Sequence, residues 1–105
     1  MAESLPEIIE EVQEKDKERT EEPPMYRVLL YNDDFTTKAF VVEILMLVFH
    51  KSSIEATELM WRVHRQGRGV AGVFPREIAE TKVVTVTELA REHGYPLQVS
   101  MEPDN

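Results

Sequence analysis

Between Lys38 and His50 the chain places ten apolar side chains in eleven consecutive positions, Ala39 through Phe49, interrupted only by Glu43. A helix that is apolar all round cannot lie on a surface and has to be wrapped by other elements. The run is well short of the roughly 20 residues that cross a bilayer, so the wrapping must come from protein. The segment therefore predicts a helix over Lys38–His50 at the centre of a small domain, with one apolar edge left over for a ligand or a partner.

The flanking segments supply the wrapping. Tyr26-Arg27-Val28-Leu29-Leu30-Tyr31 is rich in strand formers and carries apolar side chains on both faces, which predicts a central strand. Asn32-Asp33-Asp34 ends it with turn chemistry, and Thr36 or Thr37 can cap the apolar helix. Ser52-Ser53-Ile54-Glu55 has the spacing of a capping box. The helix it opens presents Ala56, Leu59, Met60 and Val63 at helical spacing and closes at Gly67. Gly69-Val70-Ala71-Gly72-Val73-Phe74 reads as a strand closed by Pro75. Arg76–His93 reads as a third helix, although Val83-Val84-Thr85-Val86-Thr87 scores as strand on propensity. Ala79, Val83, Val86 and Ala90 keep the 3.6-residue period, and Gly94 stands at the right end. Pro96–Met101 alternates and predicts a last strand.

The order β-α-α-β-α-β implies an α+β fold, a three-stranded antiparallel sheet packed on three helices. The domain is expected over residues 25–102, with 103–105 as a polar tail. Residues 1–24 look separable. Ile8, Ile9 and Val12 could line a short helix from Pro6, the stretch to Glu22 is charged, and Pro23-Pro24 stiffens the junction. A flexible acidic extension is expected, either solvated or engaged by a partner.

Charge narrows the partners. Of the formal net charge of −8, residues 1–24 contribute nine acidic and three basic side chains, and residues 25–105 eleven and nine. Phosphate binding needs a cationic surface, so nucleic acid is a poor partner. The 105 residues suffice for one domain, and the absence of cysteine excludes disulfides and thiolate chemistry. No basic region followed by an apolar one opens the chain, so no secretory signal or membrane association is expected. A cytoplasmic monomer is the default.

Three sets of residues could carry chemistry. Asn32-Asp33-Asp34 offers acceptors and negative charge that could hold an ammonium group, or simply forms the turn. His64, as a neutral imidazole, can accept a hydrogen bond, or is a half-exposed helix histidine. His50 and His93 stand at helix ends, where a cation suits the dipole. Val41, Met60, Val63 and Leu97 could line an apolar slot beside that polar rim, or be ordinary core. No Gly-rich phosphate loop, HExxH or Gly-x-Ser-x-Gly is present, and no cofactor is implied. A metal site of Asp33, Asp34 and His64 is a weak case without paired histidines, so catalysis is not expected.

Taken together, Tyr31-Asn32-Asp33-Asp34-Phe35-Thr36, Phe40-Val41, Ala56-Thr57-Glu58-Leu59-Met60, Val63-His64, Gln66-Gly67, Gly72-Val73-Phe74, Ala79-Glu80-Thr81-Lys82-Val83 and Pro96-Leu97 resemble the ClpS family, in order and over residues 25–101. The resemblance implies an adaptor that binds proteins by a free amino terminus with a bulky hydrophobic first residue (an N-degron) and delivers them to the ClpA-type AAA+ unfoldase of the ClpAP protease. Some members act with ClpC-type unfoldases. It implies that Asn32, Asp33 and His64 hold the α-amino group and that Asp34, Thr36, Val41, Met60, Val63 and Leu97 form the side-chain pocket. Glu77 and Lys82 would dock on the N-terminal domain of the unfoldase, and residues 1–24 would be engaged during handover. The family usually has Pro-Met-Glu after the threonine matching Thr36, whereas this chain has Thr37-Lys38-Ala39. Lys38 thus takes the place of the gate methionine at the pocket mouth, which implies altered selectivity with a preference for an acidic second residue, or Lys38 is simply a solvated helix residue. The same element order also resembles the C-terminal domain of the ribosomal stalk protein, an assembly module that would not need the Asn32, Asp33, Asp34 and His64 set.

Overall fold

The computed structural model describes residues 23–105. The expected extension over residues 1–24, with its short helix from Pro6, lies outside the described residues except for Pro23 and Pro24. The described elements are β1 (Met25–Tyr31), α1 (Lys38–Leu47), α2 (Ser53–Gln66), β2 (Arg68–Pro75), α3 (Arg76–Glu92) and β3 (Val99–Pro103). The sheet is antiparallel with order β2-β1-β3, so β1 is the central strand. Val28 and Leu30 are fully buried within the core and Leu29 is nearly so on the other face, which is why β1 is apolar on both sides.

Ala71 is an extra residue in β2. Val28 pairs with Gly72 and Leu29 with Val70, so the register slips there and the strand bends. Below the bend, α2 closes tightly on β2. A Cβ at Gly69 would sit 2.9 Å from Val63 Cγ2 and 3.3 Å from Leu59 Cδ1, so only glycine lets the helix approach this far.

The apolar segment is the core helix, as expected. Phe40, Val41, Ile44 and Leu45 are buried in α1, while Met46 and Leu47 are left exposed on its uncovered edge. The helix ends earlier than its apolar run, at Leu47 rather than His50. Val48 and Phe49 are buried, but beyond the helix, because His50 adopts φ 55° and the Lys51 N–H reaches back to Leu45 O at 3.1 Å. Hydrophobicity here reports burial, not helix.

Ser52 caps α2. Its hydroxyl accepts from Glu55 N–H at 3.2 Å and donates to Glu55 Oε1 at 2.9 Å. Gly67 closes the helix at φ 90°. In α3 the β-branched run is helical throughout. Thr81, Thr85 and Thr87 turn their hydroxyls onto the carbonyls four residues back, at 2.8–3.0 Å, so the threonines satisfy their polar ends on the helix itself.

The last strand lies three residues later than the alternation predicts, over Val99–Pro103 instead of Pro96–Met101, and it takes in Glu102 and Pro103. Long-range partners explain the shift. Arg27 of β1 contacts Glu102 at 3.0 Å and Asp104 at 3.6 Å, and the Asp104 N–H donates to Met25 O at 2.9 Å. Pro103 is tolerated because it sits at the end of an edge strand.

Candidate functional site

The site begins where β1 ends. Two backbone bonds fix the loop after Tyr31. Tyr31 N–H donates to Gln98 O at 3.1 Å, and Asn32 N–H donates to Gly67 O at 2.8 Å. The first ties the loop to the segment carrying Leu97. The second ties it to the C-terminal end of α2, one turn beyond His64. Residues 32, 64 and 97, far apart in sequence, are thereby brought to one place.

Asp33 then shapes the loop. Its Oδ1 accepts from the N–H groups of Phe35 and Thr36 at 2.8 and 2.7 Å, and its Oδ2 accepts from the Thr36 hydroxyl at 2.6 Å. Partial burial alone would push the Asp33 carboxyl up, but the bonds from Thr36 and Phe35 outweigh it and hold the group below the usual carboxylate range. Asp33 is thus a turn former and an anion at once. Oδ2 keeps a lone pair for a further donor. Thr37, the next hydroxyl, caps α1 by accepting from Phe40 N–H at 3.1 Å.

Between this loop, α1 and α2 lies a cavity of about 220 Å³. Its apolar wall is made by Val41, Met60, Val63 and Leu97, each under 10% exposed. They are core residues and cavity lining together, because the core ends at this wall. The polar rim carries Asn32, Asp33, Asp34, Thr36, Lys38 and His64. All ten residues expected to form the site meet in this one cavity. Among the described residues no hydrogen bond joins the side chain of Asn32, Asp34 or His64 to another group. No three His, Cys, Asp or Glu among the described residues gather to hold a metal ion.

Three residues of this region were not singled out from the sequence. Tyr31 also lines the cavity, and its hydroxyl is held by Ser100 at 2.7 Å. Trp61 adjoins the rim residues Lys38 and His64, with Lys38 Nζ 4.9 Å from its ring centroid and the Arg65 guanidinium 5.3 Å from it, and His64 meets the indole edge-on at 5.8 Å. The i, i+3 and i, i+4 spacing of Trp61, His64 and Arg65 was a usable signal. The approach of Lys38 from another helix was not.

The two residues expected to dock a partner lie elsewhere, on α3. Glu77 is exposed in the first turn beside exposed Ile78. Lys82 is half-buried and donates to Val48 O at 2.6 Å, so its ammonium satisfies a carbonyl at the end of α1.

Residues 21–100 match the family model described as ATP-dependent Clp protease adaptor protein ClpS. The chain is 50% identical over 99 residues to the ATP-dependent Clp protease adapter protein ClpS of Desulforapulum autotrophicum, covering 94% of this chain and 95% of that protein. It is 54% identical over 87 residues to the protein of the same description from Desulfatibacillum aliphaticivorans, covering 83% and 84%. Among solved structures, Agrobacterium tumefaciens ClpS2 bound to L-phenylalaninamide superposes with a TM-score of 0.76 at 41% identity, over 79% of this chain and all of that one.

Proposed function

The chain belongs to the ClpS family of Clp protease adaptors, and on that premise we propose that it grips the free amino terminus of proteins with a bulky hydrophobic first residue and hands them to an ATP-dependent Clp unfoldase–protease. The observation that carries this reading is the cavity itself, an apolar slot with unspent acceptors at its rim. L-Phenylalaninamide, the ligand of the Agrobacterium relative, is chemically a first residue alone: an α-ammonium, a benzyl side chain and an amide where the next residue would begin. The reading favours this adaptor over the ribosomal stalk-like alternative, which has no use for such a cavity.

An α-ammonium has three N–H donors. Asn32 Oδ1, the free lone pair of Asp33 Oδ2 and a ring nitrogen of His64 are three acceptors, so the group can be fully satisfied on leaving water. Hydrogen bonds to a charged group contribute about 1.5–3 kcal/mol each, and burying one large side chain adds about 1.5–3 kcal/mol. Micromolar binding needs about 8 kcal/mol, within reach of that sum. The 220 Å³ cavity is smaller than the roughly 300–1,000 Å³ of drug-sized sites and suits one side chain. A branched Cβ at the narrow mouth, or a charge in the apolar slot, would be rejected.

Delivery uses a second surface. We assign it to the face of α3 from Glu77 past Lys82, meeting the N-terminal domain of a ClpA-type unfoldase in the cytoplasm, with the adaptor acting as a monomer. The family assignment supports an adaptor role in place of catalysis.

Fluorescence anisotropy with labelled peptides beginning with Phe, Leu, Trp, Tyr, Ile or Met tests the first step. Peptides starting with Phe or Leu should bind near micromolar. Acetylation, which removes the charge and two of the three donors, should weaken them roughly a hundredfold, about 3 kcal/mol. Equal binding of acetylated and free peptides would sink the amino-terminus reading.

A further inference from the structure

The Trp61 indole does not line the cavity, yet it stands 37% exposed beside two residues that do, Lys38 and His64, with two cations near its ring. Lys38 comes from the first turn of α1 and Arg65 from the last turn of α2, and both lie within the roughly 6 Å over which an aromatic face attracts a cation. The ring gives the two cations a shared partner. Among the described residues neither forms an ion pair with a carboxylate. The indole adjoins His64, whose ring meets it edge-on, so it lies next to the position assigned to the α-amino group.

A peptide whose first side chain fills the cavity must leave through the cavity mouth. Its second Cα is 3.8 Å from the first across a trans peptide bond, which brings the second side chain within reach of the rim. A carboxylate there would meet the Lys38 ammonium and the Arg65 fork, and charge-assisted bonds of this kind are roughly twice as strong as neutral ones. A second Lys or Arg would meet two like charges.

We propose that Trp61, Lys38 and Arg65 form a second subsite that selects an acidic side chain at the residue following the first, with Trp61 as the positioning residue that holds the two cations together. The inference rests on the amino-terminus reading above. It deepens the expectation drawn from Lys38 alone by assigning the selectivity to a three-residue platform.

The test uses the full chain and peptides beginning Phe-Glu, Phe-Ala, Phe-Lys and Phe-Trp, identical thereafter, at low and high salt. The readout is the affinity ratio between peptides within each variant, which cancels any general loss of binding. Phe-Glu should bind about tenfold tighter than Phe-Lys at low salt, with Phe-Ala between them, and the ratio should shrink at high salt. The doubly substituted Lys38→Gln, Arg65→Gln protein should bring the ratio to about one. Trp61→Leu, which keeps both charges, should lower the ratio, and Trp61→Phe, which restores an aromatic face, should recover most of it. A ratio unchanged by removing both charges, no discrimination in the wild type, or Phe-Trp as the tightest peptide would overturn the subsite while leaving the amino-terminus reading intact. A ratio insensitive to Trp61→Leu would overturn the role of the indole. Failure of every peptide to bind would overturn the underlying reading and this one with it.

Discussion

Replacing Gly69 by alanine adds one methyl group where the sheet and the site share a wall. The new Cβ would lie 2.9 Å from Val63 Cγ2 and 3.3 Å from Leu59 Cδ1. Leucine can swing its terminal methyl aside, but valine is stiff at χ1, so Val63 has to yield with its helix. Val63 also lines the cavity, and any retreat of the side chain from Gly69 is spent on that space. Overpacking of this kind costs about 1–3 kcal/mol. Against it stands the gain from replacing glycine inside a strand, about 0.5–1 kcal/mol. The net loss is on the order of 1 kcal/mol, which for a domain of this size lowers Tm by about 4–8 °C. Thermal and urea unfolding would read the loss, with an unchanged urea slope showing that compactness is preserved. Anisotropy with a Phe-initial peptide should show weaker binding in the same protein. Gly67→Ala is the control: it carries φ 90° and has nothing within 4 Å of its Cβ, so strain alone should destabilise it by about 1 kcal/mol without narrowing the cavity. If Gly69→Ala proved as stable as wild type and bound peptide equally well, the coupling of β2, α2 and the cavity wall through Val63 would be refuted.

Substitutions on α3 separate docking from folding. Lys82→Met removes a charge-assisted bond to Val48 O and should cost about 1–2 kcal/mol in urea unfolding; exposed Glu77→Ala should stay within about 0.5 kcal/mol of wild type, so reduced unfoldase binding by Glu77→Ala reads the interface itself. Thr36→Val deletes the hydroxyl donor to Asp33 and should raise the Asp33 pKa, measured by NMR titration of its carboxyl carbon. The sign for stability follows from the lowered native value: the contribution of the Asp33 bonds is complete above its ordinary 3.8 and is lost as pH falls through the lower native value. An Asp33 titration unmoved by Thr36→Val would contradict the hydrogen bonding described. Ser52→Ala should cost about 1 kcal/mol as a lost helix cap and leave peptide affinity unaltered, since Ser52 lies at the far end of α2 from His64; a matching loss of affinity would show that fraying of α2 reaches the site.

What could be read in the sequence, and what could not, divides along the range of the forces involved. The cap at Ser52, the glycine end at Gly67 and the helical state of Val83–Thr87 were legible because each is decided within one or two turns, whereas the cap of α1 was narrowed only to Thr36 or Thr37, of which Thr37 is the one used. The β-branched run is the telling case. Propensity favoured strand, but the burial of Ala79, Val86 and Ala90 on one stripe is a tertiary demand already written into the spacing. The misplaced ends failed for the opposite reason. Val48 and Phe49 continue the apolar run, yet they reach the core as non-helical residues once His50 turns the chain, and β3 starts late because Arg27, more than 70 residues away, holds Glu102 and Asp104. The site divides in the same way. Its ten expected residues were identified as a set through family resemblance, since turn chemistry and core packing explained each of them separately without any ligand. Asp33 shows why residue type alone leaves the choice open: it makes the turn, and because the turn consumes only part of its carboxylate, it remains an acceptor. Nothing local announces the Lys38–Trp61–Arg65 platform, because it exists only once the N-terminus of α1 and the C-terminal half of α2 are side by side. Gly69 fixes one side of that arrangement, because it lets α2 close on the sheet at Leu59 and Val63, the turns of the helix that flank Trp61.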